Sequence, residues 1–139
     1  SLREIYEHAN SPFIADFIGI TNFIEAETTA SDQVRIGDTM LRCDASDFAS
    51  GSSVKLAVRP EYIRTVFSAA DAENQLFGEL KDIEFLGSFQ RLHVNVPSLQ
   101  NTVLMVDINT AQSDGKDLEI GRDLTLELPN TAITVYANV

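Results

Sequence analysis

Few residues in this chain carry the chemistry of a catalyst. There are two histidines, His8 and His93, and one cysteine, Cys43. Neither histidine has a cysteine or carboxylate at the spacing a zinc site uses, so both read as solvated imidazoles. Cys43 stands beside Asp44, with no base or cation next to it to draw off the thiol proton. It reads as a small apolar residue at a strand end and not as a nucleophile. Ser88 lies on a turn without a histidine in local reach. Asp44 with Asp47, and Asp114 with Asp117, are too sparse for a calcium loop, and Glu119 does not supply the closing ligand. Both pairs read as solvated acidic loops. The one Gly-Lys pair, Gly115-Lys116, fails as a phosphate-cradling loop, because Thr110 stands where a glycine is needed and Asp117 where a hydroxyl is needed. The expectation is therefore a chain without a catalytic residue, resident metal or cofactor.

One cation stands out. Arg59 sits in Val54-Lys55-Leu56-Ala57-Val58-Arg59-Pro60-Glu61-Tyr62-Ile63. Val54, Leu56 and Val58 alternate with Lys55, Ala57 and Arg59, the period of a half-buried strand. Pro60 removes a backbone donor, ends the strand and holds Arg59 extended. The Arg59-Pro60-Glu61 corner then leads through a turn, or a single helical turn, into a strand over Arg64–Phe67. A guanidinium there serves either as a structural ion pair or as a contact for an anion or a partner, since its planar fork suits carboxylates and oxyanions.

The rest of the chain must position that corner. Leu2–Glu7 has the spacing of a short amphipathic helix. Ser11 and Pro12 then open a second one, with Phe13/Phe17 and Ile14/Ile18 as i, i+4 pairs and Gly19 at its end. About two turns so rich in large apolar residues need a surface to cover. From Thr21 the period becomes two. Strands are expected over Phe23–Thr28, Val34–Ile36 and Thr39–Cys43, the last two joined by a Gly37-Asp38 turn. Gln75–Leu86 is a longer strand whose parity slips at Lys81-Asp82, which predicts a bulge or bend there. Phe89–Val96 alternates cleanly, with Leu92, Val94 and Val96 on one face. Thr102–Ile108 is nearly all apolar, as a strand covered on both faces would be. Asp123–Leu128 sets Leu124, Leu126 and Leu128 inward, and Ile133–Tyr136 closes. Eight or nine short strands at this spacing argue for an antiparallel barrel or sandwich.

Composition bounds the function. The chain has 139 residues, 44% of them hydrophobic, which suits one domain with a real core. Ten Lys and Arg stand against 21 Asp and Glu, a formal net charge of −11. That balance opposes phosphate backbones and anionic membranes, so no nucleic-acid partner is expected. A lone cysteine rules out an internal disulfide and suits a reducing compartment. No apolar run reaches the ~18–20 residues needed to cross a bilayer as a helix. The start, without Met, reads as that of an excised piece.

Three stretches resemble a known family. Leu56–Ile63 is similar to the "RPE" strand in the C-terminal regulatory domain, of TOBE type, of ABC importer ATPases. Glu4–Asn10 and Phe13–Gly19, followed by Asn22-Phe23, resemble the segment by which the ATPase domain passes into that regulatory domain. Phe85-Leu86-Gly87-Ser88 resembles a third, weaker landmark, and the three stand in the family's order. The resemblance implies a mainly β fold: an OB-like, MOP-like antiparallel β-barrel over residues 21–139, with a helical arm over residues 1–20. It implies a non-catalytic regulatory and dimerisation domain of a solute importer of the polyamine, iron, phosphonate or sugar type. The partners would be the ATPase domain of the same longer chain, a second copy, and, through the ATPase domain, transmembrane permease subunits. The place would be cytoplasmic, at the inner face of the membrane. Phe13, Phe17 and Ile18 of the arm and Arg59, Pro60 and Glu61 of the corner are the expected joint. The other reading is a small-ligand module, binding an oxyanion or sugar with donors such as Arg59 and Arg91.

Overall fold

The computed structural model describes residues 20–66, 73–109 and 118–138. The expected helical arm lies outside them, so Phe13, Phe17, Ile18 and His8 have no described position. The same holds for Asp114, Gly115, Lys116 and Asp117.

The described chain forms ten strands: β1 (Asn22–Ala30), β2 (Gln33–Ile36), β3 (Thr39–Arg42), β4 (Ser53–Val58), β5 (Arg64–Val66), β6 (Gln75–Phe85), β7 (Phe89–Val96), β8 (Thr102–Asn109), β9 (Asp123–Glu127) and β10 (Ile133–Ala137). They pair antiparallel in two five-stranded sheets, ordered β10-β4-β1-β2-β3 and β5-β9-β6-β7-β8. The inner faces of both sheets fill one core. Leu41, Val54, Leu56 and Val58 of the first sheet join Leu80, Leu92, Val94 and Leu126 of the second in a single buried cluster. Each fully buried Leu contributes about 1.5–3 kcal/mol by leaving water. The architecture is an antiparallel barrel, as the strand spacing implies, and mainly β and OB-like, as the resemblance implies.

The alternation assigned from sequence holds in detail. Leu92, Val94 and Val96 are buried, as are Leu124, Leu126 and Leu128. The parity slip in the long strand is a register shift between Leu80 and Asp82, where β6 pairs with β7. It lets Ile83 pack back against the core. The Pro60 corner is a single 3-10 turn, Pro60–Tyr62, with Pro60 buried and the Tyr62 N–H bonded to the Arg59 carbonyl at 3.0 Å. Gly78 is required for a steric reason. A Cβ there would stand 2.5 Å from Val94 Cγ1 and 2.7 Å from the Asn95 carbonyl oxygen of the neighbouring strand.

One expectation is corrected. β8 is not covered on both faces: Leu104 and Val106 are buried, but Val103 is 48% exposed. β8 is the edge strand of its sheet, and its apolar run reflects one core face plus an apolar outer face.

The sheets are stitched at their edges by side chains. Asn22 opens β1 in the first sheet. Its Nδ2 donates to the Met105 carbonyl at 2.8 Å, and its Oδ1 accepts from the Met105 N–H at 2.7 Å, on edge strand β8 of the second sheet. Asn74, just before β6, does the reverse. Its Oδ1 accepts from the Arg42 N–H at 2.7 Å, and its Nδ2 donates to the Arg42 carbonyl at 2.7 Å, on edge strand β3 of the first sheet. Nδ2 also reaches the Leu128 carbonyl at 3.0 Å. A carboxamide has the donor and acceptor of a peptide group, so each asparagine acts as one residue of strand where no strand runs. Edge groups that would otherwise lack partners are thereby satisfied. The third buried polar residue among those described, Thr28, accepts from the Ser52 N–H at 2.9 Å and donates to the Ala49 carbonyl at 2.7 Å, tying down the loop before β4.

Candidate functional site

The β4–β5 corner, β7 and β8 enclose an open cleft of about 600 Å³. Ile20, Arg59, Glu61, Phe89, Arg91 and Asp107 are among its lining residues. Arg59 reaches it because Pro60 stops β4 and turns the chain. Arg91 and Asp107 reach it because both face outward on β7 and β8, directly opposite each other in register. The cleft thus brings together two of the expected corner residues, Arg59 and Glu61, and the other expected donor, Arg91. Ser88 lines it too, with no histidine among the other described residues that do.

The two arginines are held differently. Arg91 makes a two-pronged pair with Asp107, Nε to Oδ1 at 2.8 Å and Nη2 to Oδ2 at 3.0 Å. Both side chains are mostly buried, at 13% and 11% exposure. The Arg91 guanidinium also lies over the Phe89 ring, 5.5 Å from its centre. The hydrogen bonds to Asp107 raise the guanidinium's pKa above its ordinary value, against the opposing effect of burial. Arg59 makes one contact with Glu61, Nε to Oε2 at 3.2 Å, with both groups over 40% exposed. Two cations and two carboxylates leave this cleft near neutral. Asp107 already neutralises Arg91 through Nε and Nη2, whereas among the described residues Arg59 has only its single exposed contact with Glu61.

The remaining candidates fall as follows. Cys43 is buried, and burial, with Asp44 and Asp32 nearby, pushes its thiol up to about 11. It is an inert core residue at neutral pH. Asp44 accepts from the Ser46 hydroxyl at 2.6 Å and from the Ser46 N–H at 3.0 Å, and these bonds hold its carboxyl below the usual range. Among the described residues no three His, Cys, Asp or Glu side chains gather as a metal would need. His93 departs from its solvated reading. Its Nε2 is 2.7 Å from Glu84 Oε2, across the β6–β7 pair. The register shift at Leu80/Asp82 sets Glu84 opposite Arg91, one outward step from His93. Sequence reasoning passed over Asp107 and Phe89. Asp107 left a signal: it is the one charged residue in the apolar run Thr102–Ile108.

Comparison with known proteins gives the arrangement its context. In fold, the chain is similar to the cytoplasmic molybdate-binding protein ModG, with a TM-score of 0.74 at 13% identity, over 84% of this chain and 96% of that one. In sequence, it is 35% identical to the Fe(3+) ions import ATP-binding protein FbpC 2 of Rhizobium meliloti, over 96% of this chain and 36% of that protein. It is 28% identical to the maltose/maltodextrin import ATP-binding protein MalK of Escherichia coli K12, over 91% of this chain and 35% of that protein. It is 27% identical to the sulfate/thiosulfate import ATP-binding protein CysA 2 of Chromobacterium violaceum, over 96% and 36%. The chain spans about a third of the length of these relatives. The TOBE domain profile matches residues 56–135, from the middle of β4 to the middle of β10, and so takes in the Arg59 corner, the β6–β7 pair and the named cleft residues other than Ile20. This chain belongs to the TOBE domain family.

Proposed function

We propose that this chain is a non-catalytic regulatory and dimerisation domain of an importer's ATP-binding protein. The observation that carries the reading is the joint presence of a TOBE barrel and import ATP-binding relatives three times its length. In this reading the barrel holds two ATP-binding subunits together at their far ends while their nucleotide sites open and close. Phe13, Phe17 and Ile18 and the Arg59-Pro60-Glu61 corner form the joint. The parent ATPase meets transmembrane permease subunits at the cytoplasmic face of the membrane, and nucleic acid is not a partner. Apolar area hidden on association, at ~25 cal/mol per Å², supplies the energy, and a closed two-fold pair is the expected symmetry. Sedimentation equilibrium over a wide concentration range tests the pairing. A reversible dimer is expected; a monomer at every concentration contradicts it.

A second reading, a small-ligand module, draws on one observation: Arg59 and Arg91 converge on a single cleft. A thermal-shift series with molybdate, phosphate, phosphonates and sugars tests it. A stabilisation that disappears in Arg59→Ala supports it, and no shift with any of them removes it.

A further inference from the structure

The Arg59-Pro60-Glu61-Tyr62 corner is a ridge between two clefts. The cleft of about 600 Å³ already described takes Arg59 in its lining. A second cleft, of about 410 Å³, is lined by Tyr62, Arg64 and Pro129, and Glu61 lines both. The ridge is stiff, because Pro60 is buried and the Tyr62 N–H closes the 3-10 turn onto the Arg59 carbonyl. Its side chains stand out in water. Tyr62 is 52% exposed, and Arg59 meets Glu61 through one exposed contact of 3.2 Å.

The charge here differs from that of the chain as a whole. At a net charge of −11, two copies repel each other over most of their surface. Among the described residues, the charged side chains lining the two clefts are Arg59, Arg64, Arg91, Glu61 and Asp107. Arg64 meets Glu127 at 3.4 Å, so cations and carboxylates balance around the ridge. An acidic partner is not drawn to a balanced patch, and a basic one is drawn more strongly elsewhere on this chain. A patch with opposite charges two residues apart suits a copy of itself. A two-fold axis sets residue i of one copy against j of the other, and j against i.

We propose that two copies meet ridge to ridge at this corner, with Arg59 of each copy paired to Glu61 of the other and both Tyr62 rings covered between them. The weak bond within each chain is exchanged for two bonds between chains, in a setting with less water, where close charge pairs couple strongly. The stiff corner loses little freedom when it docks. This rests on the dimer reading and names its contact. Sedimentation equilibrium on the whole chain and its charge-reversed variants tests it. The unaltered chain should pair reversibly. Arg59→Glu and Glu61→Arg, each alone, set like charges across the axis and should raise Kd by about tenfold or more. Both positions are exposed, so each variant should keep its far-ultraviolet β signal. An equimolar mixture of the two variants should regain association, because every acid at the corner then faces a base of the other chain. A pair that acts only within its own chain is not rescued by mixing. Tyr62→Ser should loosen the unaltered pair several-fold. Single variants that pair as tightly as the unaltered chain overturn the proposal and leave the dimer to another surface. Folded variants that stay apart when mixed overturn it too. An unaltered chain that is monomeric throughout removes the dimer reading itself, so the two failures are distinguishable.

Discussion

Arg91 and Arg59 line the same cleft and are held in different ways. Arg91 is clamped by both oxygens of Asp107, backed by Phe89 and largely out of water. Arg59 touches Glu61 with one nitrogen and stands in solvent. The first arrangement is part of the sheet, a cross-strand pair that fixes β7 against β8. The second can change partners at little cost, since exposed ion pairs are worth ~0–1 kcal/mol. The contrast continues through the whole molecule. Asn22 and Asn74 are committed to the seams, whereas Phe85 and Leu86 are exposed and Arg59 has, among the described residues, one exposed ion pair. Groups with unspent contacts are the ones available for a joint, and they cluster at one end.

The largest effect that tests this division is at a seam. Asn74→Gly removes the partners of the Arg42 N–H and of the Arg42 and Leu128 carbonyls. At 1–3 kcal/mol for each group left unpaired in the interior, partly relieved by water, the loss should be about 3–5 kcal/mol in denaturant unfolding. Asn74→Ala should lose ~1 kcal/mol more, because Asn74 holds φ at +60° and an alanine resists that conformation. Asn22→Ala breaks two bonds to Met105 and should cost about 2–3 kcal/mol, with faster hydrogen exchange at the Met105 amide than elsewhere in β8. Next comes the clamped pair. Asp107→Ala strands Arg91 and should cost about 2 kcal/mol, and a double-mutant cycle with Arg91→Ala should show coupling above ~1 kcal/mol. The smallest effect is at the corner. Arg59→Ala should stay within ~0.5 kcal/mol, with coupling to Glu61 near zero. Equal coupling in the two cycles would erase the comparison.

How much of this was readable from residues alone depends on the range of the interaction. β7 and β9 were legible, because Leu92-Val94-Val96 and Leu124-Leu126-Leu128 declare a face through local alternation. The bulge was legible for the same reason, as a break in parity between Leu80 and Ile83. The 3-10 corner followed from Pro60. β8 was misread because an apolar run does not distinguish a covered strand from an edge strand with an apolar outer face. The seams were invisible. Asn22 meets Met105 from 83 positions away and Asn74 meets Arg42 from 32, and each asparagine looks like an ordinary turn residue in sequence. His93 looked solvated because its partner, Glu84, is set by the register after the bulge. Of the candidate site, Arg59, Glu61 and Arg91 were named in advance. Their neutralisation within one cleft required the pairing of β7 with β8, which brings Asp107 to Arg91.

In the proposed reading this barrel joins and tunes a motor and breaks no bond itself. The direct test is removal of residues 21–139 from the longer ATP-binding protein that this reading implies, followed by measurement of nucleotide binding and of subunit association without nucleotide. The account predicts that nucleotide binding persists and that nucleotide-free association is lost. Loss of nucleotide binding, or association unchanged by the deletion, would contradict it.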